Sequence, residues 1–109
     1  MIIYVDIDET ICFYENEREY PKAVPIDENI KKVNKLYDEG NTIVYWTARG
    51  SKTKLDWTEL TKKQLKKWGA KHHGLKLGKP HYDLYIDDKS INSIDYFGER
   101  KETPNEVNK

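Results

Sequence analysis

A chain of 109 residues suffices for one compact domain and is too short for two. Its 19 Lys and Arg balance 19 Asp and Glu, which leaves no electrostatic case for nucleic acid or an anionic membrane as partner, and no apolar run approaches the ~20 residues of a membrane span. One cysteine excludes an internal disulfide framework, and with no basic, apolar leader at the N-terminus the expected location is a reducing cytoplasm.

In chain order, "IIYVDI" (2–7) joins β-branched and aromatic residues in a run that predicts a buried strand. The polar, aromatic, proline-punctuated stretch 12–25 predicts a loop or small hairpin flap. Asp27 is expected to cap a helix in which Ile30, Val33, Leu36 and Tyr37 recur at helical spacing and which Gly40 closes. "NTIVYWT" (41–47) predicts a second buried strand and "ARGSKTK" a loop. Leu60, Gln64, Leu65 and Trp68 mark one side of a second helix, from about Leu55 to Trp68, ended by Gly69. "LKL" (75–77) predicts a brief strand, "DLYIDD" (83–88) another that ends in acid, and "SINSIDYF" (90–97) a short helix or turn. One domain over 1–98 is expected, with a polar tail over 99–109.

Strands alternating with helices predict right-handed crossovers, a mainly parallel sheet and an α/β, three-layer Rossmann-like fold. Such sheets bind ligands at the carboxyl ends of their strands. Asp6 and Asp8 end the first strand, Thr47 the second, and Asp87 and Asp88 the strand after "YDLY". Four carboxylates at one sheet edge repel unless a cation shares them, and hard oxygen ligands without a Cys/His set favour Mg²⁺. Thr47 offers a hydroxyl to a phosphate oxygen, and Lys79 in "LGKPHYD" offers a point charge to the same group. One aspartate beside such a cation can attack phosphorus, and a second, two residues on, can handle the leaving-group and water protons.

The order "DIDET", "IVYWT", a lysine in "GKP", then "YIDD" resembles the four motifs of the haloacid dehalogenase superfamily of phosphatases, from residue 2 to residue 88. The resemblance implies a Mg²⁺-dependent phosphoric monoester hydrolase with a HAD-like fold and an aspartyl-phosphate intermediate. Asp6 is then the nucleophile and Asp8 the general acid/base with its carbonyl on the metal; Thr47 and Lys79 hold phosphate. Asp87 is the metal-binding acid, with Asp88 supporting it directly or through water. Thr10 steadies the turn, and N–H groups near Ile7 and Asp8 cradle the phosphate. No segment is long enough for a full cap domain, so the flap 12–25 stands in its place. Capless members either oligomerise, using a neighbour as lid, or act on large exposed substrates. Length and "YWTARG" are also similar to small phosphatases encoded with bacterial capsule and surface-polysaccharide genes. That implies a sugar phosphate, or a phosphorylated alcohol attached to a sugar or nucleotide sugar, as substrate.

Arg49, two residues after Thr47, reads either as a contact for a substrate anion or as a surface ion pair; Tyr14, Tyr20 and Trp57 are further candidates for the outer pocket. Lys76 is the rival of Lys79, but alternation in "LKL" turns it outward. His72, His73 and His81 lack a zinc-ligand spacing and read as surface residues. Cys12 and Arg18 have the C-x5-R spacing of cysteine-dependent phosphatases, yet Glu15 and Glu17 inside the loop repel a dianion, so Cys12 reads as a small packed residue. Two other classes compete with the enzyme. A receiver-like phosphotransfer domain places its acidic pair on the first strand rather than the last, and a non-catalytic phosphate-binding module has no need of the full set of acids.

Overall fold

The computed structural model describes residues 1–99. β1 (Ile2–Val5) pairs in parallel with β4 (Thr42–Trp46), Ile3 opposite Ile43 and Val5 opposite Tyr45, and β4 pairs in parallel with β5 (Gly74–Lys76). The sheet order is β1-β4-β5. β2 (Cys12–Phe13) and β3 (Val24–Pro25) form a separate antiparallel pair, so the expected flap is a hairpin, with a single 3-10 turn at Tyr20–Lys22 inside it. Among the described residues three helices complete the order: α1 (Asp27–Asp38), α2 (Thr58–Lys67) and the one-turn α3 (Ser93–Phe97). The chain is a small Rossmann-like α/β domain.

The period-2 alternation of β1 and β4 puts Ile3, Val5, Ile43 and Tyr45 on one face, where Ile30 and Val33 of α1 and Leu65 of α2 pack in the same cluster. The two helices are neighbours: Asn34 of α1 donates to the Gly69 carbonyl (2.8 Å) and accepts from the Lys71 N–H (2.8 Å). α1 ends in a Schellman motif, with Gly40 N–H on Tyr37 O, Asn41 N–H on Leu36 O, and Gly40 at φ +97°.

Three expectations need correction. Asp27 is not the cap of α1. The cap is Ile26, which makes no side-chain cap bond, and Asp27 is the first helical residue. Ile26 is fixed there by its own N–H on Ile11 O (2.8 Å) and by burial of its side chain, so the hairpin sets where the helix starts. β1 stops at Val5, which leaves Asp6 and Ile7 beyond the ladder. The strand expected over 83–88 does not form. The segment carries no regular structure and is exposed throughout, with Leu84 at 75% and Ile86 at 89%. β1 is therefore an edge, and its outward Ile2 is 72% exposed. The polar tail lies, from residue 100 on, outside the described residues. Among the described residues no helix is long and apolar enough to cross a membrane.

Candidate active site

The chain leaves β1 through a tight turn. Thr10 and Ile11 both donate to the Ile7 carbonyl (3.1 and 2.9 Å), and Glu9 donates to Cys12 O (2.9 Å) from a positive φ of 62°. That region is uncommon for a residue with a Cβ, and here it reverses the chain within four residues. The turn sends Asp6 and Asp8 into different surroundings. Thr10 takes part in the turn through its N–H and through its carbonyl, which accepts from Asn29 (2.8 Å).

Asp8 is saturated. Arg49 donates to both its oxygens, Nε to Oδ2 at 3.1 Å and Nη2 to Oδ1 at 2.9 Å, a bidentate pair. The Tyr14 hydroxyl adds a bond to Oδ1 at 2.5 Å, and the Cys12 thiol approaches it at 3.4 Å. Arg49 itself is 2% exposed: its Nη1 donates to Thr61 (3.1 Å) and Gln64 (2.5 Å) on α2, and its guanidinium lies 4.8 Å from the Tyr20 ring centroid. Trp57 meets the Tyr20 ring edge-on. Desolvation works to raise the Asp8 carboxyl, but the Arg49 bonds and charge, with Tyr14 and Cys12, outweigh it and hold Asp8 below its ordinary value. Burial pushes the Tyr14 hydroxyl and the Cys12 thiol up, and the Asp8 charge pushes them further, so Cys12 is an inert packed thiol. Arg49, Tyr14, Tyr20 and Trp57, expected around a substrate, are thus built into the clamp on Asp8. Arg49 has no face left for a ligand.

Asp6 is sparsely held. Its side chain is 40% exposed, and Lys79 Nζ stands 3.5 Å from Oδ1. Desolvation raises its carboxyl; the Lys79 charge and the Ile7 N–H oppose this, and the net direction is upward. Lys79 is delivered by backbone bonds: its N–H meets Thr47 O (3.1 Å), and its carbonyl accepts from Ser51 Oγ (2.6 Å). Lys76 turns away to the Tyr4 hydroxyl (2.9 Å), so of the two lysines it is Lys79 that stands beside Asp6. Thr47 is buried at the end of β4, where its Oγ1 accepts from the Arg49 N–H (3.1 Å).

Asp6, Asp8, Thr47 and Lys79 therefore converge on the carboxyl ends of β1 and β4. Asp87 and Asp88 do not join them: both lie in the exposed 83–88 segment, and among the described residues no group of three or more His, Cys, Asp or Glu is placed to hold a metal ion. Two carboxylates, one of them committed to Arg49, do not make the donor set that the sequence led one to expect for Mg²⁺. His73 is engaged elsewhere, with Nδ1 accepting from the Ile43 N–H (3.1 Å) and its ring stacked on Tyr37. Beside the clamp, the flap borders an open surface depression of about 560 Å³ lined by Tyr14, Glu15, Asn16, Glu17, Glu19 and Lys22.

Sequence reasoning put Gln64 on one side of the second helix but missed Thr61 and the role of both as partners of Arg49. The signal was available: both fall on the inward stripe of α2 with Leu65, and polar side chains on a buried stripe imply a polar partner inside.

No family model matches the chain, and no curated protein matches it. Among solved structures, the crystal structure of an MCSG target from Vibrio cholerae aligns with a TM-score of 0.76 and 24% identity, over 93% of this chain and 90% of that one. The two share a fold. At that identity the likeness speaks to architecture alone.

Proposed function

We propose that the chain is a phosphatase of the haloacid dehalogenase type, which hydrolyses a small phosphate monoester through a phosphorylated Asp6. The observation that carries this is the contrast at the end of β1: a half-exposed carboxylate with a lysine 3.5 Å away, beside a second carboxylate locked in place. An Asp6 oxygen attacks phosphorus, the bond from phosphorus to the ester oxygen breaks, and the leaving group departs as its oxyanion, which takes a proton from solvent water. Water then attacks the acyl phosphate, giving inorganic phosphate and free Asp6. Lys79 offsets charge on the phosphoryl oxygens. Asp8, held ionised by Arg49, suits the second half-reaction, in which it takes the proton of the attacking water. Its protonation for the first half is opposed by the same arginine, so esters of acidic alcohols are the favoured test substrates.

Magnesium belongs to this reading through the motif order, with Asp87 and Asp88 as the further acids. Since a single chain does not assemble them, no step is assigned to the ion. A sugar phosphate, or a phosphorylated alcohol attached to a sugar or nucleotide sugar, as in capsular polysaccharide synthesis, is the substrate class; a cytoplasmic location fits such a donor pool. A library of phosphate esters, screened with Mg²⁺ present, tests the reading. Turnover of at least one ester by the wild type, absent in Asp6→Asn, is expected; a library left intact by the wild type sinks it.

A further inference from the structure

We propose that the segment 83–88 is exchanged between two copies of this chain, each lending it to the open edge of the other's β1. The two surfaces left without a sheet partner among the described residues are complementary. β1 presents an unpaired edge with Ile2 (72%) and Tyr4 (48%) exposed, and Leu84 (75%), Tyr85 (46%) and Ile86 (89%) stand in solvent as a short apolar run bounded by acids, the pattern of a strand buried on both faces. Among the described residues no backbone hydrogen bond ties 83–88 to the sheet.

The chain cannot fill its own edge in the parallel sense. Only residues 77–82 separate β5 from the segment, whereas parallel strands need a crossover of about a dozen residues. Distance gives the same answer. Lys79 is pinned at the carboxyl end of β4 by Thr47 and Ser51. For Asp87 to stand level with Asp6, Asp83 must reach the level of Ile2. That is at least ~13 Å back along β1 and ~10 Å across two strand spacings, roughly 16 Å in all. Four residues span at most ~14 Å. A second copy is free of this tether. Reciprocal exchange is two-fold symmetric, so it closes at a dimer. Five exposed apolar side chains and a strand backbone from each copy make an interface on the order of the ~800 Å² per partner found in stable complexes. In the parallel sense the exchange also carries the acidic end of the segment to the carboxyl end of β1, beside Lys79, whereas the antiparallel sense leaves it at the far end.

Resting on the phosphatase reading, the exchange has a second consequence: each site is completed by the partner subunit's Asp87 and Asp88, the acids that a lone chain leaves in solvent. The dimer is tested first without reference to activity. Light scattering of the wild type should give twice the chain mass, and Ile86→Lys, harmless at a position exposed in a lone chain, should give a folded monomer by circular dichroism. A wild-type monomer, or an Ile86→Lys dimer, overturns the exchange. In a co-refolded mixture of Tyr4→Cys and Tyr85→Cys chains, oxidation should link the two kinds of chain, while a Tyr4→Cys/Tyr85→Cys double variant that closes only within itself would contradict it. Complementation then tests the shared site. Asp6→Asn and the Asp87→Ala/Asp88→Ala variant, each inactive, should regain roughly a quarter of wild-type turnover when co-refolded, one site in four being whole. Cross-linking without activity in any sample strikes the phosphatase reading and leaves the exchange standing.

Discussion

Asp6 and Asp8 leave the same strand two residues apart, yet one is held by a single lysine at 3.5 Å and the other by a buried arginine, a tyrosine and a thiol. The difference arises in the turn after β1, where Glu9 at φ 62° turns Asp8 toward α2 and leaves Asp6 at the sheet edge. It separates two tasks. Asp8, the proposed base of the second half-reaction, is tied to the second helix through Arg49, Thr61 and Gln64, while Asp6 is left open to a ligand. Substitutions at the two positions should therefore have opposite profiles.

The largest stability effect is expected for Asp8→Ala, which strands the Arg49 guanidinium without its counter-charge and should cost about 3–5 kcal/mol in urea unfolding. Asp6→Asn should lose at most about 0.5 kcal/mol, since it sits at a half-exposed position away from the core. Equal losses at both positions would erase the distinction. Next in size is Tyr14→Phe, which removes one hydrogen bond to an ionised acceptor and should cost about 1.5–3 kcal/mol. Gly50→Ala strikes the loop that carries Arg49. Gly50 sits at φ +81°, and a Cβ there would run into the Leu55 carbonyl oxygen, so a loss on the order of 1–3 kcal/mol is expected, with the Asp8 clamp loosened in step.

A pH titration sharpens the same contrast. The folded-state pKa of Asp8 lies below its unfolded value of about 3.9, so its contribution is present above that value and is lost as pH falls through the folded pKa. Asp6 is shifted upward, so its ionised form works against folding above its ordinary pKa. Wild type should lose stability in acid more steeply than Asp8→Asn, and a pair of parallel curves would contradict the assignment. Smallest is Lys79→Met, expected to leave the unfolding midpoint nearly unchanged while weakening inhibition by inorganic phosphate, measured as a rise in its inhibition constant.

Much of this was legible in the residues. β1 and β4 were visible because their β-branched and aromatic runs are contiguous, although only β4 is buried as expected while β1 keeps Ile2 and Tyr4 exposed, and Gly40 marked the end of α1 because only its backbone accommodates the closing turn. Lys79 was separable from Lys76 by strand alternation. The role of Arg49 was not legible, because its partners Thr61 and Gln64 come from a helix twelve and fifteen residues away and only the folded crossover brings them in. Nor was the fate of 83–88. Its apolar run says strand, but such a run is silent on which edge a strand can reach, and residues 77–82 are too few to take it there within one chain. Asp87 and Asp88 were placed at the site by motif order, and the tether removes them from it in a lone chain.

The most direct test of the division between the two aspartates is to trap the intermediate. Wild-type protein is incubated with an aryl phosphate and Mg²⁺, quenched in acid and mapped by peptide mass spectrometry. The account requires a phosphoryl group on Asp6 and none on Asp8, with the label absent from Asp6→Asn. Label on Asp8, or turnover that persists in Asp6→Asn, would contradict it.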